Sequence, residues 1–110
     1  MQITSVNFIT TKNPDALKLA VKEGPVVAVL YADIDLIYYQ SGIIDTDTCT
    51  SATLQPVLVV GFDTENDIEY FIVKNSWGTS WGEKGYARIA VKPNVGVCGI
   101  QTDLILLVTN

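Results

Sequence analysis

Val26 to Tyr31, VVAVLY, is almost wholly apolar and rich in β-branched residues, which predicts a buried central strand with both faces covered. The segment before it is patterned differently. Asn13-Pro14 is a helix start, because Asn caps free backbone N–H groups and Pro tolerates the first helical position. Leu17, Ala20 and Val21 fall at helical spacing with Lys18 and Lys22 outside, and Gly24-Pro25 stops the ladder, so a helix is expected from about Asp15 to Glu23. Residues 2 to 10, with Ile3, Val6, Phe8 and Ile9 among polar neighbours, predict a strand of edge type. Asp33 to Tyr38 has the look of a single helical turn.

Further strands are expected at Val57 to Phe62, Glu69 to Lys74, Gly85 to Val91 and Leu104 to Val108, separated by polar or glycine-bearing turns. One main helix near the N-terminus followed by mostly antiparallel strands gives an α+β chain. About six strands with few helices predict a half-open antiparallel β-barrel in which each hairpin buries one face. No linker interrupts the sequence, so residues 1–110 are expected to form a single domain, one compact half rather than a two-lobed enzyme.

Composition narrows the function classes. Twelve acidic and seven basic residues give a net charge of −5. The basic residues are scattered rather than striped, which argues against nucleic acid as a partner. Pro25 to Tyr31 and Val57 to Gly61 are far shorter than the roughly 20 residues of a membrane-spanning helix. Met1 leads directly into Gln2, Ile3 and Thr4, without the basic and apolar segments of a secretory signal, which implies an artificial start or a leader further upstream. Cys49 and Cys98 are an even pair, too few for a zinc site without histidine. A disulfide is the simplest pairing and two buried free thiols the alternative. A disulfide would point to an oxidising or endolysosomal-type compartment. Asp63, Glu65, Asp67 and Glu69 alternate but lack the glycine and terminal glutamate of a calcium loop, and read as a solvated hairpin tip. No metal or cofactor is expected.

The candidate chemistry lies in Lys74 to Ile89, KNSWGTSWGEKGYARI, in a chain without histidine. This block resembles the asparagine-bearing segment of papain-like cysteine peptidases. Gly24-Pro25-Val26, Tyr39-Gln40-Ser41-Gly42-Ile43, the PVLVVGF strand and Cys98-Gly99-Ile100 extend the similarity over nearly the whole chain, in the order of that family's C-terminal, right-hand lobe. The resemblance implies a Cys49–Cys98 disulfide, Asn75 as the asparagine that orients a catalytic histidine, and Trp77 as the shield of that hydrogen bond. It places Val29, Thr53, Pro56 and Asp103 on the substrate pocket, and Trp81 on the leaving-group side.

Active members of that family begin the strand NHAVLVVGY. Aligned on VLVVG, this chain has Leu54 and Gln55 at the Asn-His positions, with Pro56 next. A carboxamide cannot take a proton from a thiol near neutral pH, so Gln55 is no base. The nucleophile's QGxCGSCW-like setting belongs to the family's other lobe and is matched by neither cysteine. The resemblance therefore implies an inactive lobe, in which Asn75, the tryptophans and the glycines persist as packing and turn residues. The face around Trp77, Val29 and Leu54 would then be exposed, with a protein partner or a second copy expected to cover it. The alternative is a separated half of an endopeptidase whose other chain carries the nucleophile.

Overall fold

The computed structural model describes residues 3–32, 34–46, 49 and 53–109, with the backbone alone for 3–9, 34, 103 and 105–109. In chain order the elements are β1 (Ile3–Thr10), α1 (Pro14–Glu23), β2 (Val26–Tyr31), a short α2 (Ile34–Ile37), β3 (Ile43–Ile44), β4 (Leu54–Glu65), β5 (Ile68–Lys74), β6 (Tyr86–Ala90), a 3-10 turn at Val97–Gly99, and β7 (Asp103–Thr109). The strands form one sheet in the order β1-β7-β2-β4-β5-β6-β3. Every neighbouring pair is antiparallel except β3 with β6.

The helix forms as its sequence dictates. Asn13 Oδ1 accepts the Asp15 N–H at 2.9 Å, Pro14 opens the first turn, and Gly24 N–H closes on Val21 O at 3.2 Å. Leu17, Ala20 and Val21 are buried and set α1 against the sheet, with β4 among its contacts. Phe71, Val73, Val59, Leu30 and Ile89 are at most 1% exposed and form the centre of the core. The α+β class, the main helix and the mostly antiparallel sheet agree with the sequence reading.

Three details differ. The sheet has seven strands rather than about six, because two residues, Ile43 and Ile44, pair with Arg88 and Ile89; so short a strand has no period to read. β4 starts at Leu54 and not at Val57, since Tyr31 and Leu30 continue to pair with Leu54 and Gln55. β2 is not covered on both faces: Val26, Ala28 and Leu30 are buried, whereas Val27 and Val29 are half-buried and Tyr31 is exposed. The face bearing Val29 and Tyr31 opens onto a cavity.

The acidic tip between β4 and β5 turns at Asn66 and Asp67, with φ of 52° and 65°. Its four acidic residues are exposed. Two of them pair across the surface, Glu69 with Lys18 at 2.7 Å and Glu65 with Arg88. Among the described residues there is no cluster of metal-ligating side chains, and no helix is long and apolar enough to cross a membrane.

Cys49 and Cys98 are joined, with Cα atoms 5.4 Å apart and a separation of 49 positions in sequence. The bond ties the segment entering β4 to the turn entering β7. A polar side chain locks the same region: Gln101, fully buried, donates from Nε2 to Lys92 O at 2.7 Å and Asn94 O at 2.8 Å, and accepts the Lys92 N–H at 3.2 Å. Gly96, at φ 77°, lies against it so closely that a Cβ would fall 2.5 Å from Gln101 Cδ. Removing the disulfide by Cys49→Ser/Cys98→Ser is expected to cost about 2–4 kcal/mol of unfolding free energy, read as a lower urea midpoint with little change in native far-UV dichroism.

Candidate functional site

Two strand ends create the site. Leu58 of β4 pairs with Lys74 of β5, so the beginning of β4 and the residue after β5 lie side by side. There Gln55 Nε2 donates to Asn75 Oδ1 at 3.0 Å and to Pro56 O at 2.9 Å. Asn75 Oδ1 also accepts the Ser76 N–H at 2.8 Å, and the Asn75 N–H donates to Gly85 O at 3.1 Å. Asn75 is 7% exposed, and its Nδ2 is buried without a partner among the described residues. A buried donor left without a partner costs about 1–3 kcal/mol.

The two tryptophans differ in placement. Trp81 is buried; its Nε1 donates to Leu36 O at 2.9 Å, and its ring lies 5.4 Å from both Tyr39 and Trp77, edge-on to the latter at 90°. Trp81 is thus a core residue that supports Trp77 and does not form an open wall. Trp77 is 38% exposed and Leu54 57% exposed.

Arg88 fastens the loop that carries these residues. Its Nε and Nη2 donate to the two Glu83 oxygens at 2.9 Å each, Nη1 reaches Glu65, and the guanidinium stacks on Tyr70 at 5.5 Å. Glu83 Oε2 also accepts the Gly42 N–H at 3.3 Å. The Tyr39 hydroxyl donates to Gly42 O at 2.6 Å. At φ 61°, Gly82 leaves no room for a Cβ, which would meet Tyr86 O at 2.6 Å and the Tyr39 ring at 3.0 Å. The hydrogen bonds from Arg88 hold the Glu83 carboxyl below its ordinary value, and Glu83 holds Arg88 above its own. Burial raises the Tyr39 hydroxyl.

The residues expected on the substrate pocket are only partly brought together. Pro56, Val29 and Asp103 stand in one cross-strand row over β4, β2 and β7; the Asp103 side chain lies outside the described residues. Thr53 O accepts the Ala32 N–H at 2.8 Å. A cavity of about 700 Å³ adjoins this row, with Val29, Tyr31 and Leu54 on one side and the disulfide and the Lys92–Gly96 loop on the other. Of the residues placed on the pocket or cleft from sequence, Val29 lines it, whereas Thr53, Pro56, Trp77 and Trp81 do not. Sequence reasoning missed Gln101 and the Glu83–Arg88 pair. The spacing of an acid and an arginine five apart around a Gly turn was the available signal for the pair; a lone glutamine offers none.

The model of the papain family cysteine proteases matches residues 1–108. The chain belongs to that family. It is 43% identical over 100 residues to a viral cathepsin of Epiphyas postvittana nucleopolyhedrovirus, covering 90% of this chain and 28% of that protein. To zingipain-2 of Zingiber officinale it is 40% identical, covering 91% of this chain and 46% of the relative. Among solved structures, the bromelain protease of Ananas comosus in complex with the inhibitor E64 superposes with a TM-score of 0.87 at 32% identity, over 98% of this chain and 51% of the other. The digestive procathepsin L 3 of Tenebrio molitor superposes with a TM-score of 0.86 at 32% identity, over 99% and 36%. This papain-family chain thus spans less than half of those curated relatives and about half of the bromelain chain.

A carboxyl held below its ordinary value stabilises the fold above that value and stops doing so as pH falls through the depressed one. Glu83→Gln is therefore expected to lose about 1 kcal/mol near neutral pH, a modest figure because the Glu83 side chain is 31% exposed. The gap to wild type should close below the ordinary carboxyl value of 4.5, as measured by urea unfolding at a series of pH values.

Proposed function

We propose that residues 1–110 form a single right-hand lobe of papain type that does not hydrolyse peptides and serves as a structural or protein-binding part of a larger assembly. One observation carries this reading: the position aligned with the catalytic histidine holds Gln55, whose amide nitrogen, and not a titrating imidazole, meets Asn75 at 3.0 Å. The hydrogen bond that orients a base is kept, and the base is not. Both cysteines are joined to each other, so neither supplies a thiolate. Asn75 on this reading is a vestigial triad residue, with Trp77 and Trp81 its inherited cover and Val29, Thr53, Pro56 and Asp103 the former pocket wall.

The assembly is supported by an apolar rim. Leu54 precedes Gln55, Trp77 caps Trp81, and Ile37 and Tyr38 follow the carbonyl that Trp81 binds; they are 57%, 38%, 49% and 75% exposed. A second copy or a protein partner that covers this rim would remove it from water. The disulfide and the family suggest an endolysosomal or secreted setting. A second reading, a half-enzyme whose other chain brings the nucleophile, is favoured by the coverage of 51% of the bromelain chain.

The protein isolated from its native source is expected to show no thiol-dependent hydrolysis of fluorogenic peptides above a Gln55→Ala control, and to elute in light scattering above the mass of one chain. Hydrolysis that depends on Gln55, or a strictly monomeric protein, would overturn the respective part of the reading. If a nucleophile-bearing lobe is present, Gln55→His should raise turnover by orders of magnitude, because members of such a unit act together.

A further inference from the structure

β1 ends the sheet: it pairs with β7 on one side, and among the described residues no strand lies on the other. Two hydrogen bonds fix which of its backbone groups are free. The Thr11 N–H donates to Thr102 O at 2.8 Å, so these two residues form a hydrogen-bonded pair. Such pairs alternate along an antiparallel ladder, and the register is regular from Thr10 opposite Asp103 back to Ser5 opposite Val108. Ile9, Asn7 and Ser5 therefore turn their N–H and C=O groups to β7, whereas Thr10, Phe8 and Val6 turn theirs away. An independent bond gives the same phase. The Ala32 N–H donates to Thr53 O at 2.8 Å, which makes Leu30 and Ala28 face β4, Val29 and Val27 face β7, and hence Leu104 and Leu106 face β1.

Natural sheets guard such an edge with lysine, proline or a covering segment. Residues 2–11, QITSVNFITT, are rich in β-branched residues and hold neither a charged residue nor a proline. At the other end the sheet is closed. β3 pairs with β6 only at Arg88 and Ile89, and the Arg88 N–H is taken by the Tyr39 hydroxyl at 3.4 Å. One open end and one closed end allow two chains to join and stop further growth.

We propose that β1 is a self-association edge, to which a second copy of this chain adds its own β1, antiparallel about a two-fold axis at Phe8. The register shifts between Ile3 and Ser5, so the regular outward run is Val6, Phe8 and Thr10. An axis at Phe8 sets Phe8 against its own copy and Val6 against Thr10 in both directions. Each outward N–H then meets an outward carbonyl, about six hydrogen bonds in all. Each chain carries a net charge of −5, and the strand that meets its copy carries none of it. This edge is a different surface from the Trp77 rim: β7 and β2 separate it in the sheet from β4, which bears Leu54. A strand pair of this length is a small interface, so the association depends on concentration.

The test is amide hydrogen exchange of the intact chain, read by residue in nitrogen-15 spectra at protein concentrations about a hundredfold apart, with light scattering alongside. Protection of Val6, Phe8 and Thr10 is expected to rise with concentration, while that of Asn7 and Ile9, already bonded to β7, changes far less. Thr10→Pro removes an outward N–H at an exposed position that β7 does not use, and should weaken the dimer about tenfold or more. Thr10→Lys keeps the N–H but adds a guarding charge, and should weaken it as well. A dimer without the alternation in β1, as association through the Trp77 rim would give, overturns the proposal and leaves the assembly reading intact. Full protection of the three amides at every concentration would mean that the same chain covers β1, and overturns it too. So does a monomer throughout the range. If Thr10→Pro does not fold, the alternation in wild type and the lysine variant decide. Peptide hydrolysis would sink the inactive reading alone.

Discussion

The fork of Arg88 on the carboxylate of Glu83 is the constraint on which the rest of the site depends. Residues 75–85 contain no regular strand or helix, so their course is set by side chains and by a few backbone bonds. Glu83 takes two hydrogen bonds from Arg88 and a third from Gly42, which joins the loop both to β6 and to the segment entering β3. Tyr39 completes the joint by accepting the Gly82 N–H at its carbonyl and packing on Trp81. With Gly85 thereby placed, its carbonyl receives the Asn75 N–H, and Asn75 in turn receives Gln55. A partly buried, bidentate pair of this kind gives geometry as much as energy. The stability it adds is small, while the positions it fixes are several.

The sheet and its helix were legible because their signals are local. Asn13-Pro14 and Gly24-Pro25 bracket α1 chemically, and the β-branched run VVAVLY reads as a strand. What escaped was non-local. Tyr31 is exposed at the end of that run because the sheet face there opens onto a cavity closed by a loop more than sixty residues away in sequence. β4 begins three residues earlier than its apolar core because pairing with β2, and not hydrophobicity, extends it through Gln55 and Pro56. Gln101 reads as a surface residue; its burial follows from three backbone partners in the Lys92–Asn94 turn, which no local pattern encodes. Of the residues that the family block singles out, Asn75 meets Gln55, Trp81 lies on the core side and Trp77 on the open side.

On the proposed reading, in which Gln55 stands where an active papain-type site carries an imidazole, two properties that such a site combines are separated. Orientation needs a donor to Asn75 Oδ1, and an amide nitrogen supplies it. Proton transfer needs a group that changes charge near neutral pH, and an amide does not. The Gln55–Asn75 hydrogen bond joins two carboxamides, neither of which changes charge near neutral pH. In the loop beside it, Arg88 holds the Glu83 carboxyl below its ordinary value and burial raises the Tyr39 hydroxyl. A pair of this kind keeps its charge where a histidine-based one would change it. Constancy of that sort suits a surface that binds rather than one that turns over. The Nδ2 of Asn75, buried and without a partner among the described residues, is on the proposed reading the residual cost of keeping this geometry, tolerated because the Arg88–Glu83 joint and the Trp81 core hold the loop.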